Sequence, residues 1–157
     1  MSISVYDLKQ FYSRRAGRLV RRLISSHIAT IWDEAESMDV LGYGYAVPYL
    51  RVLGDKGNNC VAAMSDNSGV HLWPEKANNP VCLSREDELP FATESLDRIL
   101  VVHGFEFSDN PDALIHELWR VLKSNGRLLL VVPTSLICWA LLITNAHCFL
   151  IRATAHV

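Results

Sequence analysis

His103 and Glu106 stand three residues apart just after an apolar run, Ile99-Leu100-Val101-Val102, that reads as a buried strand. Side chains beyond the carboxyl end of a strand in an open α/β sheet line the crevice where ligands bind. A histidine there has the intrinsic pKa that a general base needs near neutrality. A second cluster is Gly42-Tyr43-Gly44-Tyr45-Ala46, followed by Tyr49. Small residues let a backbone approach a ligand closely, and electron-rich tyrosine rings attract cations. Each feature also has a plain structural use: a histidine bonded at a strand end, a tight strand-to-helix turn, aromatic core packing. Spacing alone leaves both uses open.

The elements that must hold these residues are clearest between Leu89 and Pro133. Leu96–Val102 and Arg127–Val132 are aliphatic without polar alternation, as expected of parallel strands covered on both faces. Between them Asn110-Pro111-Asp112 opens a helix, with Asn110 as cap and Pro111 at the first helical position. Leu114, Ile115, Leu118, Trp119, Val121 and Leu122 would form its buried face, and Asn125-Gly126 a left-handed stop. Upstream, Met38–Tyr43, Cys60–Met64 and Val81–Ser84 read as strands, Val47–Leu53 as a helix, and Val70–Trp73 as a short element stopped by Pro74. Residues 5–32 read as one long helix or a helix pair bent near Gly17. Five strands alternating with helices imply a Rossmann-like, doubly wound α/β fold with a mostly parallel sheet.

Half of the 157 residues are hydrophobic, which suits one domain of common size. The net charge of −2 gives no global reason to expect nucleic acid, although Arg14, Arg15, Arg18, Arg21 and Arg22 crowd one segment. That cluster is a solvated helix face or a docking surface for an anionic partner. Cys60, Cys82, Cys138 and Cys148 lack zinc spacing and read as buried, reduced thiols; no metal site is expected. The first fifteen residues hold no apolar signal core, so the expected compartment is the cytoplasm. The apolar run Leu136–Ile151 is interrupted by Asn145 and His147 and is short of a bilayer span, so no stable membrane insertion is expected.

The pattern Leu89-Pro90-Phe91, Ser95-Leu96-Asp97, His103, Glu106, Pro111, Ala113-Leu114, Glu117, Arg120-Val121-Leu122-Lys123, Gly126-Arg127-Leu128 resembles class I S-adenosylmethionine-dependent methyltransferases of the small-molecule type. More weakly, the resemblance runs from about residue 5 to Pro133, and VLGYGYAVPYL is similar to a divergent bacterial subgroup. The resemblance implies S-adenosylmethionine as cofactor and a small-molecule methyl acceptor. It implies cofactor contacts at Gly42, Tyr43, Gly44, Ala46, Asp66 and Glu86, with His103 and Glu106 facing the acceptor. The usual acid before the glycine turn is replaced by Gly42, and Met64 stands where the family places a ribose-binding acid. Those losses leave a second expectation open, a methyltransferase-like binding or scaffold protein without turnover.

After Pro133 the pattern stops. The family continues into a helix and an antiparallel hairpin, whereas residues 134–157 form an apolar tail without caps or period. The expectation is a methyltransferase-like domain over 1–133 with an atypical tail over 134–157, the product of truncation or a shifted reading frame. A sheet lacking that hairpin would leave its last strand open to a second copy of the chain, unless the tail covers it.

Overall fold

The computed structural model describes residues 5–34, 36–54, 57–66, 80–133 and 146–152. Helices α1 (Val5–Ser13) and α2 (Arg15–Ile31) precede strand β1 (Asp39–Gly44), helix α3 (Val47–Gly54) and strands β2 (Asn59–Ser65) and β3 (Val81–Ser84). Strand β4 (Leu96–Val102), helix α4 (Pro111–Val121), strand β5 (Leu122–Pro133) and strand β6 (Ala146–Arg152) follow. The expected Val70–Trp73 element lies outside the described residues.

The sheet order is β3-β2-β1-β4-β5-β6. Strands β1 to β5 are mutually parallel, confirming the doubly wound α/β fold. The tail adds β6 antiparallel to β5, from Arg127 opposite Arg152 to Pro133 opposite Ala146. Of the two outcomes expected for the edge of β5, the structure has the one in which the tail covers it.

Side-chain alternation divides the core. Val40, Ala62, Met64, Leu100, Val102, Leu129 and Val131 point toward α1, α2 and α3, where they meet Ile28, Trp32, Tyr49 and Leu50. Leu41, Tyr43, Ala63, Ile99, Val101 and Leu128 point to the other face and meet Leu114, Leu118 and Val121 of α4. The aliphatic runs thus serve both layers, as their lack of polar alternation required.

Several local expectations are corrected. The break between α1 and α2 falls at Arg14, which is extended, rather than near Gly17. Gly17 lies buried inside α2, where a Cβ would sit 2.2 Å from Phe11 O; it lets the two helices touch. Asn110 caps α4 as expected, its side chain accepting from Ala113 N, but the helix ends at Val121 because Leu122 is already extended. Gly126 is not in the left-handed region; a Cβ there would meet the Leu122 side chain at 2.5 Å, so it relieves crowding where the β4–β5 register shifts. Trp119, expected inside, is 47% exposed. Cys60 and Cys82 are free thiols but only partly buried, and burial raises the Cys60 thiol to about 11.

Candidate active site at the reversal of strand order

β1 and β4 are neighbours, yet their connections leave toward opposite edges of the sheet. Such a reversal opens a crevice at the carboxyl ends of the strands, the usual ligand position in this architecture. Its floor is very close-packed. Gly44 has φ +75, and a Cβ on it would lie 2.5 Å from Val102 O and 2.9 Å from Gly104 N. Tyr45 N donates to Val102 O at 2.7 Å. Gly104 needs its own small size, because a Cβ there would meet the Tyr43 ring at 2.8 Å. Gly42 faces the helix layer instead: a Cβ on it would press on Ala46 and Leu50 of the α3 segment at 2.8 Å. Ala46 is fully buried in that layer.

His103 ends β4 with φ +53, a left-handed conformation that costs a non-glycine residue on the order of 1 kcal/mol. It is held there from both ring nitrogens. Nδ1 lies 2.7 Å from Glu106 Oε1 and Nε2 lies 2.9 Å from the Tyr12 hydroxyl. The Tyr49 hydroxyl donates to Tyr12 at 2.9 Å. A carboxylate can only accept, so Nδ1 carries the hydrogen and Nε2 accepts from Tyr12. The chain of donors therefore runs Tyr49 to Tyr12 to His103 to Glu106. Burial pushes the Tyr12 phenol up to about 12, with its hydrogen bond to Tyr49 working the other way, so it stays protonated and able to donate. Burial likewise raises Tyr43 and Tyr49, and takes Tyr45 to about 12.

Glu86 enters from the loop after β3 and is 8% exposed. Its Oε2 accepts from Ser108 Oγ at 2.6 Å and from Asn110 N at 3.0 Å. Its Oε1 is buried without a hydrogen-bond partner, as is Glu106 Oε2. A buried carboxylate oxygen left unpaired costs free energy, and such atoms mark places where a donor is missing.

Helix α1 roofs the crevice. Tyr12 stacks on Tyr45 with ring centroids 5.5 Å apart, and Leu8 reaches the same wall. Enclosed between Leu8, Tyr43, Met64, Glu86, His103 and Phe107 is a cavity of about 10 Å³, roughly the space of one water. Asp66 lies outside it, in a separate open hollow of about 220 Å³ shared with Arg85, Glu86, Asp87 and Asn110. Tyr43, Gly44, Glu86 and His103 thus line one cavity, Glu106 supports it through His103, Asp66 adjoins it, and Gly42 and Ala46 pack behind it. Sequence reasoning missed Tyr12, which is 91 positions from its histidine partner, and Ser108 and Asn110, whose loop gave no sign of facing Glu86. Among the described residues no group of three His, Cys, Asp or Glu could hold a metal ion.

Comparison with known proteins agrees with this fold. The profile of the family described as "Methyltransferase domain" matches residues 39–130, more than half of the chain. An uncharacterised protein of Methanocaldococcus jannaschii is 36% identical over 56 residues, covering 36% of this chain and 27% of that protein. A SAM-dependent methyltransferase of Aquifex aeolicus superposes with a TM-score of 0.56 at 22% identity, covering 69% of this chain and 63% of the other. The [4+2]-cyclase SpnF superposes with a TM-score of 0.55 at 22% identity, covering 71% and 44%. The chain spans about a quarter of the curated relative and less than two thirds of these structures. With the profile match running from β1 into β5, the chain belongs to the methyltransferase domain family.

Proposed function

We propose that the chain binds S-adenosylmethionine in the crevice between β1 and β4 and transfers its methyl group to a small acceptor. The observation that carries this reading is Glu86 Oε1, a buried carboxylate oxygen without a donor, set in the crevice at the strand-order reversal. It has the chemistry to accept from an adenine amino group. Tyr43 and Gly44 form the adjoining floor, Asp66 in the neighbouring hollow would hold the ribose, and Gly42 and Ala46 act by letting α3 pack close behind.

Fit is a matter of the roof. A ligand of this size needs a pocket of about 300 Å³ or more, against the cavity of about 10 Å³ beneath α1. The donors and acceptors suit the cofactor, and the volume requires α1 to move away first. The same movement uncovers His103 Nε2, which Tyr12 caps while α1 is seated.

Bound there, S-adenosylmethionine supplies an electrophilic methyl group on a sulfonium. The protein's share would be to orient the acceptor and to take its proton on His103 Nε2, while the acceptor's new bond to the methyl carbon replaces that carbon's bond to sulfur, which leaves as a neutral thioether. Glu106 keeps the hydrogen on Nδ1 and stabilises the imidazolium that results.

A second reading, a methyltransferase-like protein with another use, draws on Met64 and Gly42 standing where acids are customary, and on a neighbour of this fold named as a cyclase. Calorimetric titration of the full chain with S-adenosylmethionine separates the two. Methyl transfer requires binding, a rise in unfolding temperature and weaker affinity in Glu86→Gln. Absence of heat and of any thermal shift in both the wild type and Tyr12→Phe, whose roof is loosened, would remove the methyl-transfer reading.

A further inference from the structure

Charge is segregated along this chain far more than its total suggests. Residues 8–32 carry Lys9, Arg14, Arg15, Arg18, Arg21 and Arg22 and no acid, while the rest holds nine basic and seventeen acidic residues. The structure gathers most of this excess on α2. That helix buries Gly17, Val20, Ile24 and Ile28 against the core. Its opposite face exposes Arg15, Arg18 and Arg22 together with Leu19 and Leu23, which are 42% and 43% exposed. Leu19 and Leu23 are one turn apart, so both stand at the same height above the surface. Arg15, Ala16, Arg18, Leu19 and Arg22 line an open hollow of about 630 Å³. Arg18 is braced on Ser13 O at 2.6 Å, while Arg15 and Arg22 have no ion-pair or hydrogen-bond partner among the described residues.

We infer that this face of α2 docks the protein on the surface of an anionic lipid bilayer. Guanidinium groups match lipid phosphates by charge and by paired hydrogen bonds. The two leucines between them select among polyanions: a bilayer offers an apolar layer just beneath its phosphates, whereas a nucleic-acid backbone does not. Across 25 consecutive residues there is no carboxylate to repel such a surface. The helix rests on the surface and does not enter the bilayer as a span; among the described residues no helix is long and apolar enough to cross one. Val20, Ile24 and Ile28 of α2 share a core cluster with Tyr45 and Tyr49, so the docking helix adjoins the wall of the crevice. This inference stands apart from the methyl-transfer reading and does not need it.

The experiment is cosedimentation of the full chain with phosphatidylcholine vesicles, with and without phosphatidylglycerol, over a range of salt. Binding is expected only to the anionic vesicles, and weakening as ionic strength rises through about 0.15 M. Arg15→Gln with Arg22→Gln should lower the partition constant about 25-fold, from about fivefold per arginine near a charged surface. Leu19→Ser with Leu23→Ser should lower it with the salt dependence preserved. Thermal unfolding of each variant confirms that these exposed changes leave the fold intact. No binding to anionic vesicles at low salt overturns the inference. So does loss-free binding in the arginine pair, or equal affinity for double-stranded DNA that ignores the leucine pair.

Discussion

Replacing Tyr12 by Phe removes one hydroxyl and leaves the ring stacked on Tyr45. That hydroxyl accepts from Tyr49 and donates to His103 Nε2, each at 2.9 Å. Tyr49 is fully buried and the His103 side chain is 11% exposed, so the helix must lift before both meet water freely. A hydrogen bond of this kind contributes about 1 kcal/mol net, so the seated position of α1 loses about 2 kcal/mol. With 1.4 kcal/mol per factor of ten, the ratio of lifted to seated α1 rises about 30-fold. The seated form excludes the cofactor by volume, so apparent affinity for S-adenosylmethionine should rise toward that factor while global stability falls. Titration calorimetry and chemical denaturation on the same preparation measure both quantities. Opposite signs are the signature. A drop in affinity parallel to the drop in stability, or no change in affinity at all, would refute the idea that Tyr12 holds a roof over the crevice.

Gly44→Ala should cost more than about 2 kcal/mol in urea unfolding, since the left-handed φ alone costs about 1 and its Cβ would strike Val102 O. Gly57→Ala is the control, with φ +76 but nothing within 4 Å of a Cβ, and should cost only about 1 kcal/mol. Glu117→Gln should cost about 1–2 kcal/mol at neutral pH. It removes the carboxylate that Arg120 grips at 2.7 and 2.8 Å and that accepts from Leu89 N at 2.8 Å. The hydrogen bond from Arg120 is the main cause holding the Glu117 carboxyl below its ordinary value. A depressed folded pKa means the stabilisation is complete above the unfolded value of about 4.3 and disappears as pH falls through the folded one. The gap in unfolding temperature between wild type and Glu117→Gln should therefore close on acidification below about pH 4.

The strands were legible because parallel strands under two helical layers need unbroken aliphatic runs, and Val81–Ser84 and Leu96–Val102 have the bounds expected of them. The start of α4 was legible because Asn110 and Pro111 act through local bonds. Its end was not. Leu122 turns extended at once, and Gly126 relieves a clash with that side chain rather than reversing the backbone, an outcome set by the β4–β5 register. In the candidate site, His103 could be placed at a strand end from sequence, and its link to Glu106 spans only three residues. Tyr12 could not be found that way. Its role depends on α1 folding back over the far ends of β1 and β4, and at the level of spacing it is one more apolar position in a helix. Glu86 lies between these cases: its acidity was visible, but not the loop that satisfies only one of its two oxygens.

The mutual crowding of Gly44 and Gly104 has a consequence for adaptation. Two chain segments 60 positions apart meet with no room for even a methyl group, so the base of the crevice is settled once the sheet forms and cannot yield to suit a different ligand. Adjustability is left to a nine-residue helix tied down by a few aromatic and polar contacts. Changes in that short segment can tighten or relax ligand retention without endangering the sheet, so a lineage under selection for a new substrate would find its accessible variation there first.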